Sequence, residues 1–363
     1  MSTIRFVHTD YFRLGTPLSG IAQPPTWLQQ LATASVRQAV RNVLETAIAQ
    51  RVHFLLIAGS VCDCGDHEDS AAQWLDEQLV PVRRAGIRIV TAVDGHGTTA
   101  NAQGIGDLLL GRGESLQCTV TTDGRVQLET SRQGLVRNAD LSVTIGQSSV
   151  AAQTTQLVYN AVPALQPGTV QERTSDHGWL SQSAGAVQSI NSSETGDRGC
   201  MVVNADVTAR HLSSHFVVTN PIRFASEHLD LVSTTTTDRL VADITNASRS
   251  LQRTAEQTVV VDWTVQSRLT GNPAELLQLD EAGLLTRLRN QLESGHQGIW
   301  PRRIQLTGQT GVVTDPAARP AEQEYVDVVT GADGGYPRQS LLHTFGGNHE
   351  ELVAGLQLLH RVA

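Results

Sequence analysis

Carboxylate and imidazole side chains gather just past three apolar runs of this chain. Asp10 follows Ile4–His8, Asp63 follows Phe54–Ala58, and Asp94 and His96 follow Ile87–Val93. Such side chains can hold hard divalent cations, and paired cations activate water and neutralise charge developing on a phosphate. The densest group is Asp63-Cys64-Gly65-Asp66-His67-Glu68-Asp69. A metal would suit that cluster, but so would a turn running into a helix. Acidic residues there cap free N–H groups and complement the positive end of the helix dipole. Because the amphipathic stretch Ser70–Arg84 follows directly, the cluster is read as a helix start.

The elements that must position these residues are legible in the apolar pattern. Phe54-Leu55-Leu56-Ile57 followed by Ala58-Gly59 reads as a buried parallel strand stopped by a tight turn. In open α/β sheets, ligands collect beyond such carboxyl ends. Between the first and second strands, Val36, Ala39, Val40, Val43, Leu44, Ala47 and Ile48 recur at helical spacing and predict a helix over Ser35–Arg51. Strands and helices alternating in this way make a layered α/β fold. Thr122-Asp123-Gly124 between alternating segments predicts a hairpin, and 140–147, 156–160, 259–271 and 298–306 read as further strands. Helices are expected over Arg239–Thr254 and Glu281–Leu292, with a linker over 309–338 and a last helix over 341–362.

On these residues the chain resembles the calcineurin-like metallophosphoesterases, closest to bacterial DNA-repair exonucleases of the SbcD/YhaO type. The family pattern has a first strand ending near His-x-x-Asp-x-His-Leu, a second ending Leu-Ile-Ala-Gly-Asp-x-x-Asp and a third ending Gly-Asn-His-Asp. A later segment reads Tyr-Pro-Gly-Ser-Pro-Gln-Gly…Glu-Thr-Gly-x-x-Gly-Cys. Its counterpart here is the glycine-rich Ser183–Ser189, with Ser193-Glu194-Thr195-Gly196-Asp197-Arg198-Gly199-Cys200 behind it. The resemblance implies a metallophosphoesterase-like two-sheet sandwich flanked by helices over 1–215. It also implies a small α/β capping domain over 216–308, with 309–363 as linker and C-terminal helix.

Laid on those patterns, the chain departs from nearly every implied metal ligand. Tyr11 stands in place of the first Asp, Arg13 of its His and Ser60 of the bridging Asp; Gly95 replaces the Asn and Gly97 the last Asp. His96 and Asp63 survive. Asp10 is one residue out of register, and Arg13 brings a positive charge toward a cation's place. The two strands near 140–160 would end in histidines in the family, yet no His occurs between His96 and His177. Gly347-Asn348-His349-Glu350 spells the lost motif at the far end of the chain. There it opens a helical pattern, so Asn348 is read as its N-cap.

Bulk composition excludes other chemistry. All 27 basic residues are Arg, so no lysine is available for a Schiff base, pyridoxal phosphate attachment or a P-loop. The formal charge of −9 supplies no global attraction for nucleic acid. No apolar run approaches the ~20 residues of a membrane span. The first residues run directly into a strand without a secretory pattern, and cysteines in no zinc or redox spacing read as reduced thiols. A cytoplasmic location is therefore expected.

Three readings follow. The leading one is a catalytically degenerate exonuclease homologue that serves as scaffold or regulatory partner. In that reading no metal or other cofactor is expected, and Asp10, Tyr11, Arg13, Ser60, Asp63, Asp94, Gly95 and His96 line a vestigial pocket. The resemblance implies a coiled-coil ATPase of the SbcC/YhaN type as partner and a homodimer, and it leaves DNA binding open. The second reading is an active phosphoesterase with a remodelled site using Mn²⁺ or another divalent ion. The third is a metal-free phosphate site built from Arg13, Ser60 and His96.

Overall fold

The structure is a computed structural model. It describes residues 3–21, 24–62, 68–92, 105–111, 114–131, 139–146, 157–164, 168–171, 178–231, 237–251, 257–267, 280–293 and 298–308. The expected linker, the last helix, Gly347–Glu350, Asp63, Asp94, Gly95 and His96 lie outside them.

Three strands buried over most of their length carry the first sheet: β1 (Thr3–Thr9), β2 (Phe54–Ile57) and β3 (Arg88–Ala92). They pair in parallel, and β4 (Leu108–Leu110) adds to β3. On the other side β11 (Gly199–Asp206) and β12 (His211–Val218) pair antiparallel, giving the order β12-β11-β1-β2-β3-β4. Alternation explains why β2 is apolar at every position. Leu55 and Ile57 face a core shared with α1 (Thr26–Ala49) and α2 (Glu68–Arg84). Phe54 and Leu56 face the second sheet.

That second sheet contains β5 (Ser115–Val120), β6 (Val126–Ser131), β7 (Leu141–Ile145), β8 (Leu157–Ala161), β9 (Gly168–Gln171) and β10 (Trp179–Ser183). Its order is β6-β5-β7-β8-β10-β9. The β5–β6 hairpin turns at Gly124, which has φ 80°, as Asp-Gly predicts. Leu116, Leu141, Val143, Leu157 and Tyr159 meet Phe6, Phe54, Leu56 and Val90 in one apolar layer. The expected metallophosphoesterase-like α/β sandwich is therefore present.

A third sheet holds β13 (Ile222–Leu231), β14 (Thr258–Ser267) and β15 (Ile299–Gly308), covered on one face by α3 (Thr237–Arg249) and α4 (Glu281–Glu293). Its other face carries Ile222, Phe224, Val260 and Trp300, which pack with Leu28 of α1. This contact explains why α1 starts at Thr26 rather than at Ser35. Leu28, Leu31 and Ala32 continue the same three- and four-residue spacing, so the helical face extends N-terminally past Ser35 and there meets a sheet distant in sequence. α3 ends at Arg249, short of the expected Thr254, where Ser250 and Leu251 turn back to the carbonyls of Ala247 and Ser248.

Cys62, Cys118 and Cys200 are buried free thiols. Burial pushes the Cys200 thiol up to about 12 and raises that of Cys118 further, with the Asp140 charge adding to it. Because the thiolate is the reacting form, both should resist a thiol reagent at pH 8 in the native protein and label only on unfolding, as peptide mass mapping would show.

Candidate functional site

The carboxyl ends of β1 and β2 bring Asp10, Tyr11, Arg13 and Ser60 together. Alternation sends Ile4, Phe6, His8 and Asp10 toward the inter-sheet layer. Ile4 and Phe6 lie in that apolar core, while His8 and Asp10 end it with polar groups that are fully buried. The His8 Nε2 atom lies 2.7 Å from Asp10 Oδ1, and His8 Nδ1 lies 2.8 Å from the Tyr159 hydroxyl on the opposite sheet. Asp10 Oδ2 accepts from Ser183 Oγ at 2.9 Å, Gly185 N–H at 2.8 Å and Ala164 N–H at 3.2 Å. The register that displaces Asp10 from a ligand position thus makes it a hub between the two sheets.

Burial raises the Tyr159 phenol well above its ordinary value, and the Asp10 charge adds to the effect. The phenol stays protonated, and in the Nε2–H tautomer of His8 its O–H donates a hydrogen bond to Nδ1 while Nε2–H donates to Asp10. A raised folded-state value means this stabilisation is complete below pH 10 and declines as pH rises toward the folded value. Denaturant midpoints should therefore fall above pH 10, and Tyr159→Phe should abolish that part of the slope. Absorbance at alkaline pH should show one of the four tyrosines ionising only with unfolding.

Tyr11 faces away from the hub. Its carbonyl accepts from Val187 N–H at 3.1 Å, and its ring lies against Gly59, where an added Cβ would come within 2.9 Å of the ring. Tyr11 thus covers the turn after β2. Ser60 Oγ donates to the Cys62 carbonyl at 2.7 Å. Arg13 adopts a left-handed backbone at φ 55° and is 8% exposed. Its Nη1 sits 2.8 Å from both carboxylate oxygens of Glu194. Arg198, fully buried, is held at Nε by Ser189 Oγ at 3.0 Å. Burial lowers its pKa, Glu194 and Asp197 counter that, and Arg13 adds to the lowering.

These residues do not fit a pair of divalent metals. Both Asp10 oxygens already accept hydrogen bonds, Arg13 is a cation, and Tyr11 and Ser60 face other partners. Among the described residues, no three His, Cys, Asp or Glu side chains gather as a metal would require. β7 and β8, which end in histidines in the resembling family, run out at Ile145 and Ala161. Two of the three side chains expected to bind phosphate, Arg13 and Ser60, are already engaged within the chain.

His8, Tyr159, Ser183 and Glu194 were not among the candidates read from the sequence. The signal for His8 was its place on the period-2 face with Ile4 and Phe6. Glu194 stood in the Glu-Thr-Gly match, but nothing local paired it with Arg13, 181 residues away.

No protein-family model matches the chain. A protein of Bacillus subtilis (strain 168) described as an uncharacterized metallophosphoesterase, YhaO, is 25% identical over 96 residues, 26% of this chain. The match spans 24% of that relative's length, about a quarter. Together with the two-sheet sandwich, this similarity supports the metallophosphoesterase superfamily as the chain's relation.

Proposed function

We propose that this chain keeps a metallophosphoesterase-like fold as a scaffold and does not hydrolyse phosphodiesters. The observation that carries this reading is the engagement of Asp10: its oxygens accept from His8, Ser183, Gly185 and Ala164 inside the sandwich. A carboxylate so committed has little capacity left for a cation, and Arg13 repels one. In this reading the chain acts through its surfaces. A coiled-coil ATPase of the SbcC/YhaN kind and a second copy of the chain are the partners to seek, with DNA affinity as a property to measure.

Calorimetric titration of metal-stripped protein with Mn²⁺ at neutral pH, with bis(p-nitrophenyl) phosphate hydrolysis measured alongside, tests the reading. The expected result is no heat of binding up to millimolar metal and no metal-dependent turnover. Tight binding with turnover, both lost in His96→Ala, would overturn it and establish a remodelled active site.

A further inference from the structure

We propose that Arg13 and the Ile190–Asn191 turn form an oxyanion site for a phosphate monoester or free phosphate, held shut by the carboxylate of Glu194 as an internal ligand. The proposal goes beyond the scaffold reading and needs no metal. Glu194 already receives what a phosphate would seek. Arg13 Nη1 lies 2.8 Å from each oxygen, Ile190 N–H donates at 3.3 Å and Asn191 Nδ2 at 3.2 Å. Behind them the buried Arg198 donates from Nε to Ser189 Oγ at 3.0 Å, and Ser189 Oγ donates to the Glu194 carbonyl at 2.7 Å. Guanidinium forks and backbone N–H groups are the donors that oxyanion sites use.

The occupant sits on a short turn held at both ends. Ile190 is anchored by its carbonyl, which accepts from Ser19 N–H at 2.7 Å, and Gly196 by its N–H, which donates to the Phe224 carbonyl at 2.9 Å. Between those anchors runs a short surface turn whose Ser193 and Thr195 are exposed. Gly196, at φ 95°, supplies the left-handed position at its end. The Glu194 side chain is 11% exposed and that of Arg13 10%, so the pair is near the surface. Withdrawing the carboxylate would open the Arg13 side of this site to an anion from solvent.

Thermal unfolding with inorganic phosphate, against chloride at matched ionic strength, tests the site in the full chain. Glu194→Ala removes the internal ligand, and Glu194→Gln keeps its shape without charge, should the alanine variant fold poorly. Phosphate is expected to raise the midpoint of either variant by several degrees more than chloride, and to raise the parent protein's far less. Adding Arg13→Met to either variant should erase the response. Phenyl phosphate in place of inorganic phosphate distinguishes the sources: an equal or larger rise means that a monoester fits, a smaller one that the site takes the free ion. If both Glu194 variants respond no more to phosphate than to chloride, the proposal is wrong and Glu194 only balances charge. Metal titration plays no part in this test, so the site can fail while the scaffold reading stands.

Discussion

Asp10→Asn should destabilise the protein by about 3 kcal/mol, among the largest effects of any single substitution here. The replacement keeps the volume, so no cavity accompanies the change. What it removes is the charge and one of the two oxygens that together accept from four donors in a fully buried position. If the amide oxygen faces Gly185 and Ser183, its NH₂ group meets the ring N–H of His8. Relieving that clash requires the other His8 tautomer, and then Tyr159 loses its acceptor. The fault therefore passes from the first sheet to the second. Urea unfolding should show a lower midpoint with an unchanged slope. Hydrogen exchange should speed up at the Gly185 and Ala164 amides, whose acceptor changes from a carboxylate to a neutral amide oxygen. Ser183→Ala removes only one donor to the same oxygen and should lose about 1 kcal/mol. An Asp10→Asn protein as stable as the parent would mean that the hub does not tie the sheets together.

The second large effect is non-additive. Arg13→Met leaves Glu194 buried without its main partner, and Glu194→Leu leaves Arg13 in the same state. Each single change should destabilise by about 3 kcal/mol, because an uncompensated buried charge is what such a cut exposes. The double variant should lose far less than the sum, with a coupling of about 2 kcal/mol. Met also needs the left-handed backbone that Arg13 adopts, so that strain is common to both proteins and cancels in the comparison. Arg198 limits the recovery, since the double variant leaves it Asp197 but not Glu194 for compensation. Additive losses would show that the two side chains are stabilised independently, whatever their 2.8 Å approach.

Both predictions concern residues that the linear pattern presented differently. Asp10 read as a ligand displaced by one position, and Arg13 as a charge in a cation's place. Local sequence could assign Asp10 to a face of β1, since a strand's period of two is a property of its own backbone. It could not supply Tyr159 or Ser183, because both come from the other sheet. Likewise, the spacing of Leu28, Leu31 and Ala32 could extend α1 past Ser35, but it could not name Ile222, Phe224 and Trp300 as what those turns pack against.

Residue order alone determined the layered α/β class, the parallel run of β1, β2 and β3 and the β5–β6 hairpin. It also set the residue types, among them Tyr11, Arg13 and Ser60, that stand at the positions compared with the resembling family. Those features depend on periodicity, turn chemistry and residue identity over short distances. Only the tertiary structure decided what the residues at those positions touch. Asp10 joins two sheets through His8 and Tyr159, Tyr11 covers the turn at Gly59, and Arg13 pairs with Glu194. Each of these rests on side chains brought together from far apart in the chain. Burial then makes the partnerships matter, because a polar group withdrawn from water must find its hydrogen bonds within the protein.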